Sequence, residues 1–204
     1  MSRPEAYAEL RDLGGPVVRT REAAALWGTD EGNARRRLQS LVRAGLTISL
    51  RRGLWALGPD LDPFALAPYL TAPLPAYVST FSALAAHAMI EQIPGRVSVV
   101  SLGRARRIET TLADFEVHSL APELFGGYVA WSRGGSVASP EKALFDLVYL
   151  RAAAGGRAFL PELSLPAGFE RAALDSWIGR IESPRLKTIV ARRLRQLLAA
   201  VPTG

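Results

Sequence analysis

The sequence predicts an α+β chain in two parts, and three observations carry that reading. In residues 1–58 three helical patterns precede a stretch of strict alternation, so the apolar period changes from 3.6 to 2 after Gly45. Gly58-Pro59-Asp60-Leu61-Asp62-Pro63 and Thr71-Ala72-Pro73-Leu74-Pro75 then break every pattern, which makes residues 59–75 the expected join. From residue 76 to 204 short apolar strands and helices are interspersed, as in a mixed α/β domain.

The first helix is expected from about Arg3, with Tyr7, Leu10 and Leu13 on one side and Gly14-Gly15-Pro16 closing it. Val17-Val18 reads as a short extended piece. Thr20 is the expected cap of a second helix, Arg21 to Trp27, with Ala23, Leu26 and Trp27 inward and Gly28 at its end. A very short turn leads to the third helix, TDEGNARRRLQSLVRAG, capped by Thr29 or Asp30 and ended by Gly45. Its residues Ala34, Leu38, Leu41 and Val42 form one apolar stripe at helical spacing. Leu46, Ile48 and Leu50 then alternate with Thr47 and Ser49, and Leu54 to Leu57 follow a turn at Arg51-Arg52-Gly53, as in a β-hairpin. Three helices and a hairpin, the second and third helices joined by a tight turn, make a winged helix-turn-helix.

Chemistry is concentrated on the third helix. Opposite its apolar stripe sit Asn33, Arg36, Gln39, Ser40 and Arg43, with Arg35 and Arg37 on the flanks. Arginines suit phosphates and guanine edges, and Asn, Gln and Ser suit base edges, so this is the composition of a recognition helix. The expected DNA-binding set is completed by Thr20 and Arg21 on the second helix and by Arg51 and Arg52 at the hairpin tip. The plainer reading of the same residues is a solvated arginine-rich face, or a winged helix serving as a protein-interaction module.

Charge supports the nucleic-acid reading. The formal net charge is +6. There are ten basic and six acidic residues up to Gly58, against fifteen and thirteen after it, so the excess lies mainly in the first segment. With no cysteine, disulfides and thiolate metal sites are excluded, and two histidines are too few for a zinc site without carboxylates. No cofactor is expected. Neither a signal peptide nor an apolar run near the ~20 residues of a membrane span is legible, and a cytoplasmic protein without membrane contact is expected.

In the second part, Ser79 is the expected cap of a helix with Phe81, Leu84, Ala85 and Ala88 on one side. Val97 to Leu102 and Phe115 to His118 read as strands, with a basic cluster at Arg104 to Arg107 between them that is either a solvated loop or strand edge or a further phosphate contact. His87 and His118 read as structural. The string SPEKALFDLVYL has Ser139 as cap, Pro140 at the first helical position and Glu141 in the first turn, a strong helix start. Lys142 and Asp146 are i,i+4 neighbours able to pair. The tail then holds Leu174, Trp177, Ile178 and Ile181. The last helix, after Pro184, turns Leu186, Ile189, Val190, Leu194, Leu197 and Leu198 inward and Arg192, Arg193 and Arg195 outward.

The strings REAAALWG, LQSLVRAGL, RRGLWAL, YVSTFSAL, FEVHSL, FGGY and above all SPEKALFDLVYL resemble the AbiEi-type antitoxins of type IV toxin–antitoxin systems and the related winged-helix regulators. Ala88 departs from the pattern, where glycine would be expected after His87. The resemblance implies a winged helix that represses its own operon by binding inverted repeats in double-stranded promoter DNA. It implies an α+β antitoxin domain over 76–204 that neutralises a nucleotidyltransferase-like toxin, with Pro140, Glu141, Lys142 and Asp146 as that domain's motif. It implies no enzymatic activity. Two other readings stand beside it: a winged-helix transcription factor whose second domain binds a ligand or protein, and a metal-dependent nuclease using Asp114, Glu116 and His118 on one strand face.

Overall fold

The computed structural model describes residues 2–158, 160 and 162–201, and the chain is mixed α+β. Its first part contains α1 (Arg3–Asp12), β1 (Val17–Arg19), α2 (Thr20–Leu26), α3 (Glu31–Arg43), β2 (Ile48–Arg51) and β3 (Leu54–Ala56). The helices start where local chemistry satisfies free N–H groups. The Ser2 hydroxyl accepts from the Glu5 amide, the Glu22 carboxylate accepts from the Arg19 amide at 2.7 Å, and Asp30 accepts from the Asn33 amide at 2.9 Å. Gly28 and Gly45 adopt positive φ just beyond α2 and α3.

Two expectations here are corrected. Leu13 is the C-cap of α1 and half exposed, because the helix stops before it can complete the stripe. Leu26 is also exposed: α2 turns Thr20, Ala23, Ala24 and Trp27 inward, at i, i+3, i+4 and i+7, and Leu26 falls off that stripe.

The three strands form an antiparallel sheet in the order β1-β3-β2. Its central strand is buried on both faces, which a run such as LWAL encodes. Trp55 and Leu57 face a small core with Leu10, Val18, Ala23, Ala34, Leu38 and Leu41. Leu54 and Ala56, with Val17 and Leu50, face the large core of the second part.

A 3₁₀ turn (Pro63–Leu66) and α4 (Ala67–Thr71) follow, and Leu66, Ala67 and Leu70 are buried in the large core. Then come β4 (Ala76–Val78), α5 (Thr80–Ala86), β5 (Val97–Ser101), β6 (Arg106–Glu109), β7 (Asp114–Ser119), β8 (Tyr128–Ala130), β9 (Ser136–Ala138), α6 (Pro140–Ala153), α7 (Arg171–Gly179) and α8 (Pro184–Ala199). The six strands form one sheet in the order β6-β7-β5-β4-β9-β8, with β5/β7 and β4/β9 parallel and the other pairs antiparallel. Helix α6 packs against α5, α7 and α8. Strands β8 and β9 are not expected from the sequence, and β6 is an edge strand that begins within the Arg104 to Arg107 cluster.

Helix α5 also departs from expectation. Ser79 sits at its N-cap position without capping it, because its hydroxyl is turned to Asp146. The helix ends at Ala86, so Ala88 lies beyond it, exposed, and the inward residues are Thr80, Ser82, Ala83 and Leu84, with Met89 following. Ala88 has φ +54, in the left-handed region where a Cβ is unfavourable. Replacing Ala88 with Gly is therefore expected to raise the unfolding free energy by up to about 1 kcal/mol, read from the urea midpoint, after allowing for the greater freedom of unfolded glycine.

Candidate nucleic-acid interface

Helix α3 presents three faces. Ala34, Leu38 and Leu41 are buried, which fixes the helix about its own axis. Arg35, Gln39 and Arg43, at i, i+4 and i+8, form a row facing the hairpin. Between this row and Ser49, Arg51, Arg52 and Trp55 lies an open groove of about 330 Å³. The turn that brings the two tip arginines there needs Gly53, at φ +78.

The electrostatics of the groove are one-sided. Four arginines line it with no acidic residue, and among the described residues none of the four has a salt-bridge partner. All four are exposed, and no described residue of the second part lines the groove. The field of these guanidinium groups is therefore directed outward.

The other expected residues are distributed around this groove. Arg36 donates to Asn33 Oδ1 at 2.8 Å, and Asn33 donates in turn to Asp30, whose carboxyl is held below its ordinary range chiefly by the Asn33 amide. Arg37 lies over the Trp27 ring, 5.6 Å from its centroid, on the opposite flank. Ser40 is half-buried and accepts from Arg3 Nε at 2.8 Å, which carries Arg3 of α1 to the same side of α3. Arg21 is exposed on α2 and does not reach the groove. Thr20 is a correction: it is buried, and its hydroxyl accepts the Trp55 indole N–H at 2.9 Å, so it supports β3 and is not available to a ligand. Ser49 and Arg3 were missed; the alternation of β2, which buries Leu50, was the available signal for Ser49.

The hairpin is also tied from behind. The Thr111 amide donates to the Leu50 carbonyl at 3.0 Å and its hydroxyl to the Ser49 carbonyl at 2.9 Å, so the turn between β6 and β7 covers the free edge of β2. The Arg104 to Arg107 cluster is engaged at the sheet edge. Arg106 donates to the carbonyls of Arg104 and Leu70, and Arg107 lies 3.9 Å from Glu116.

The motif around α6 is interior. Ser139 caps the helix through the Lys142 amide, and Glu141 receives both the Ser139 hydroxyl at 2.9 Å and the Glu170 amide at 3.0 Å. Lys142 and Asp146 are fully buried and paired, and Asp146 also accepts Tyr77 at 3.0 Å and Ser79 at 2.7 Å. The Lys142 ammonium lies 4.6 Å from the Trp177 ring centroid. Gly127 closes over it; a Cβ there would come within 2.6 Å of Trp177 and 3.0 Å of the lysine stem. Burial pushes the Asp146 carboxyl up and the Lys142 ammonium down, and each charge opposes the other's shift. Neither side chain is presented to a partner.

Asp114, Glu116 and His118 do share one face of β7, since Phe115 and Val117 are buried on the other. Among the described residues, however, no three His, Cys, Asp or Glu side chains gather as a metal site. His87 donates from Nε2 to the Ala138 carbonyl at 2.7 Å, a structural contact. No helix of the described residues is long and apolar enough to cross a membrane. The chain matches no family model and no curated protein.

Lys142→Ala leaves Asp146 buried without its counter-charge and is expected to cost about 3–5 kcal/mol of stability. The pair Lys142→Met with Asp146→Leu should cost less than the sum of the two single changes. A denaturation double-mutant cycle measures that coupling, and additive single effects would contradict the pairing.

Proposed function

We propose that the chain is a DNA-binding regulator whose first part is a winged helix-turn-helix, with α3 as the recognition helix and the β2–β3 hairpin as the wing. The observation that carries this reading is the groove lined by Arg35, Arg43, Arg51 and Arg52 with no acidic neighbour. An exposed helix beside a basic hairpin tip is suited to enter a major groove while the tip follows the adjoining phosphates or minor groove. The tight turn between α2 and α3, from Trp27 to Asp30, supports the same geometry.

With the resemblance of SPEKALFDLVYL and its companion strings, the reading extends to an AbiEi-type antitoxin. Such a protein represses its own operon by binding inverted repeats and neutralises a cognate nucleotidyltransferase-like toxin. Two copies of the chain would fill such a repeat. A nucleotidyltransferase-like gene beside this one favours the antitoxin; its absence favours a regulator alone.

Operator binding is expected to weaken steeply with salt, because neutralised phosphates release counterions. Arg51→Ala combined with Arg52→Ala should reduce the slope of log affinity against log salt by about 2 if each touches one phosphate. Arg43→Ala should cost about 1–3 kcal/mol and relax preference at one base pair if it reads a base. Full operator binding by an Arg35, Arg36, Arg37 triple alanine variant would contradict the assignment of α3 as the reader.

A further inference from the structure

A second cleft lies far along the chain from the basic groove, where α5 and α6 meet the β5/β7 face. Its inner part, about 230 Å³, is bounded by Thr80, Phe81, Glu116, His118, Leu147 and Arg151. It continues outward, through Phe81, Ser98 and Glu116, into a wider part of about 460 Å³ walled by Ile90 and Pro94.

Thr80 is the unusual residue here. It is 2 % exposed, its hydroxyl is buried with no hydrogen-bond partner among the described residues, and its φ is +48. A β-branched residue in the left-handed region is a steric outlier, and an unpartnered buried hydroxyl is a second cost at the same position. Backbone strain of this kind clusters at active sites and ligand clamps, and an orphaned buried hydroxyl beside a cleft calls for a partner.

In the inner part, around Thr80, the charged side chains are Arg151 and Glu116, one of each sign, while Arg96 lines the wider part. Arg151 has no salt-bridge partner among the described residues and lies over the Phe81 ring at 5.9 Å. The ion pair of Glu116 is the long contact with Arg107 at 3.9 Å, with both side chains substantially exposed. Burial holds His118 below its ordinary range, so its imidazole is neutral at pH 7 and offers one donor and one acceptor. Phe81, Leu147, Ile90 and Pro94 supply apolar wall.

We propose that this cleft binds a zwitterionic α-amino acid with an apolar side chain. Its carboxylate would be received by Arg151 and the Thr80 hydroxyl, its ammonium by Glu116, and its side chain by the apolar wall. The site is on β7, the strand that follows the Thr111 turn on the wing edge, so occupancy is placed to bear on the hairpin. Binding itself does not depend on the DNA reading and is measured without DNA.

The test is calorimetric titration of the full chain with L-leucine and L-phenylalanine. One molecule of at least one of them is expected to bind per chain. 4-Methylpentanoate, isoamylamine, 3-phenylpropanoate and phenethylamine, each lacking one charged group, should bind at least tenfold more weakly than the parent amino acid. Arg151→Ala and Glu116→Gln should each weaken binding at least tenfold. Thr80→Val, which replaces the unpartnered hydroxyl with a methyl, should keep or raise the Tm and still weaken binding at least fivefold. Arg151 is exposed, so its variant stays informative if the Thr80 variant fails to fold. Absence of binding by both amino acids, wild-type affinity in the Arg151 and Glu116 variants, equal affinity for the one-charge analogues, or equal affinity for inorganic phosphate would each overturn the proposal.

Discussion

The arrangement depends on β3 having no solvent face. Its side chains, with Leu57 just after it, alternate between two cores, Leu54 and Ala56 into the large one and Trp55 and Leu57 into the small one. A one-residue slip would exchange those sets and bury each against the wrong neighbours, so the register is strongly specified. Val17 and Val18 on β1 divide in the same way. The hairpin that carries Arg51 and Arg52 is thus held between the helices of the first part and the sheet of the second. Thr111 on the outer edge of β2 completes the restraint. A basic tip fixed in this way keeps its distance from Arg35, Gln39 and Arg43, and a groove of defined width results.

A second constraint organises the larger part. The Lys142–Asp146 pair, with Tyr77 and Ser79 as further donors, links α6 to β4 and to the residue that opens α5. Buried ion pairs add little over an apolar alternative of the same shape, but removing one partner is severe because the other remains charged and desolvated. What the network supplies is specificity. Only one placement of α6 over β4 satisfies all three donors to Asp146, and Gly127 allows the chain to close over the lysine stem. The charged residues of SPEKALFD are therefore interior fittings of the fold.

Much of this was legible in the chain. The stripe Ala34, Leu38 and Leu41, the hairpin around Arg52-Gly53 and the Ser139-Pro140-Glu141 helix start are local signals, and each has its expected form. The arginines of α3 were identified correctly as exposed, but the row facing the hairpin, Arg35 to Arg43, depends on where the hairpin docks, which periodicity does not contain. Thr20 looked like a cap because a threonine before an apolar helix usually is one; its partner, Trp55, is thirty-five residues away. Strands β8 and β9 have three residues each and β6 carries two arginines, so none has the apolar alternation that marks a strand. The cleft at Thr80 was invisible for a different reason: positive φ on a threonine is imposed by tertiary packing and leaves no trace in composition.

The central claim is that α3 and the hairpin tip engage one duplex together. Backbone amide mapping by NMR, adding a short double-stranded operator fragment at low salt, tests it most directly. The account predicts shifts at Arg35, Gln39 and Arg43 together with Arg51 to Gly53. Shifts confined to α3 with the hairpin silent, or centred on the arginines of α8, would contradict it.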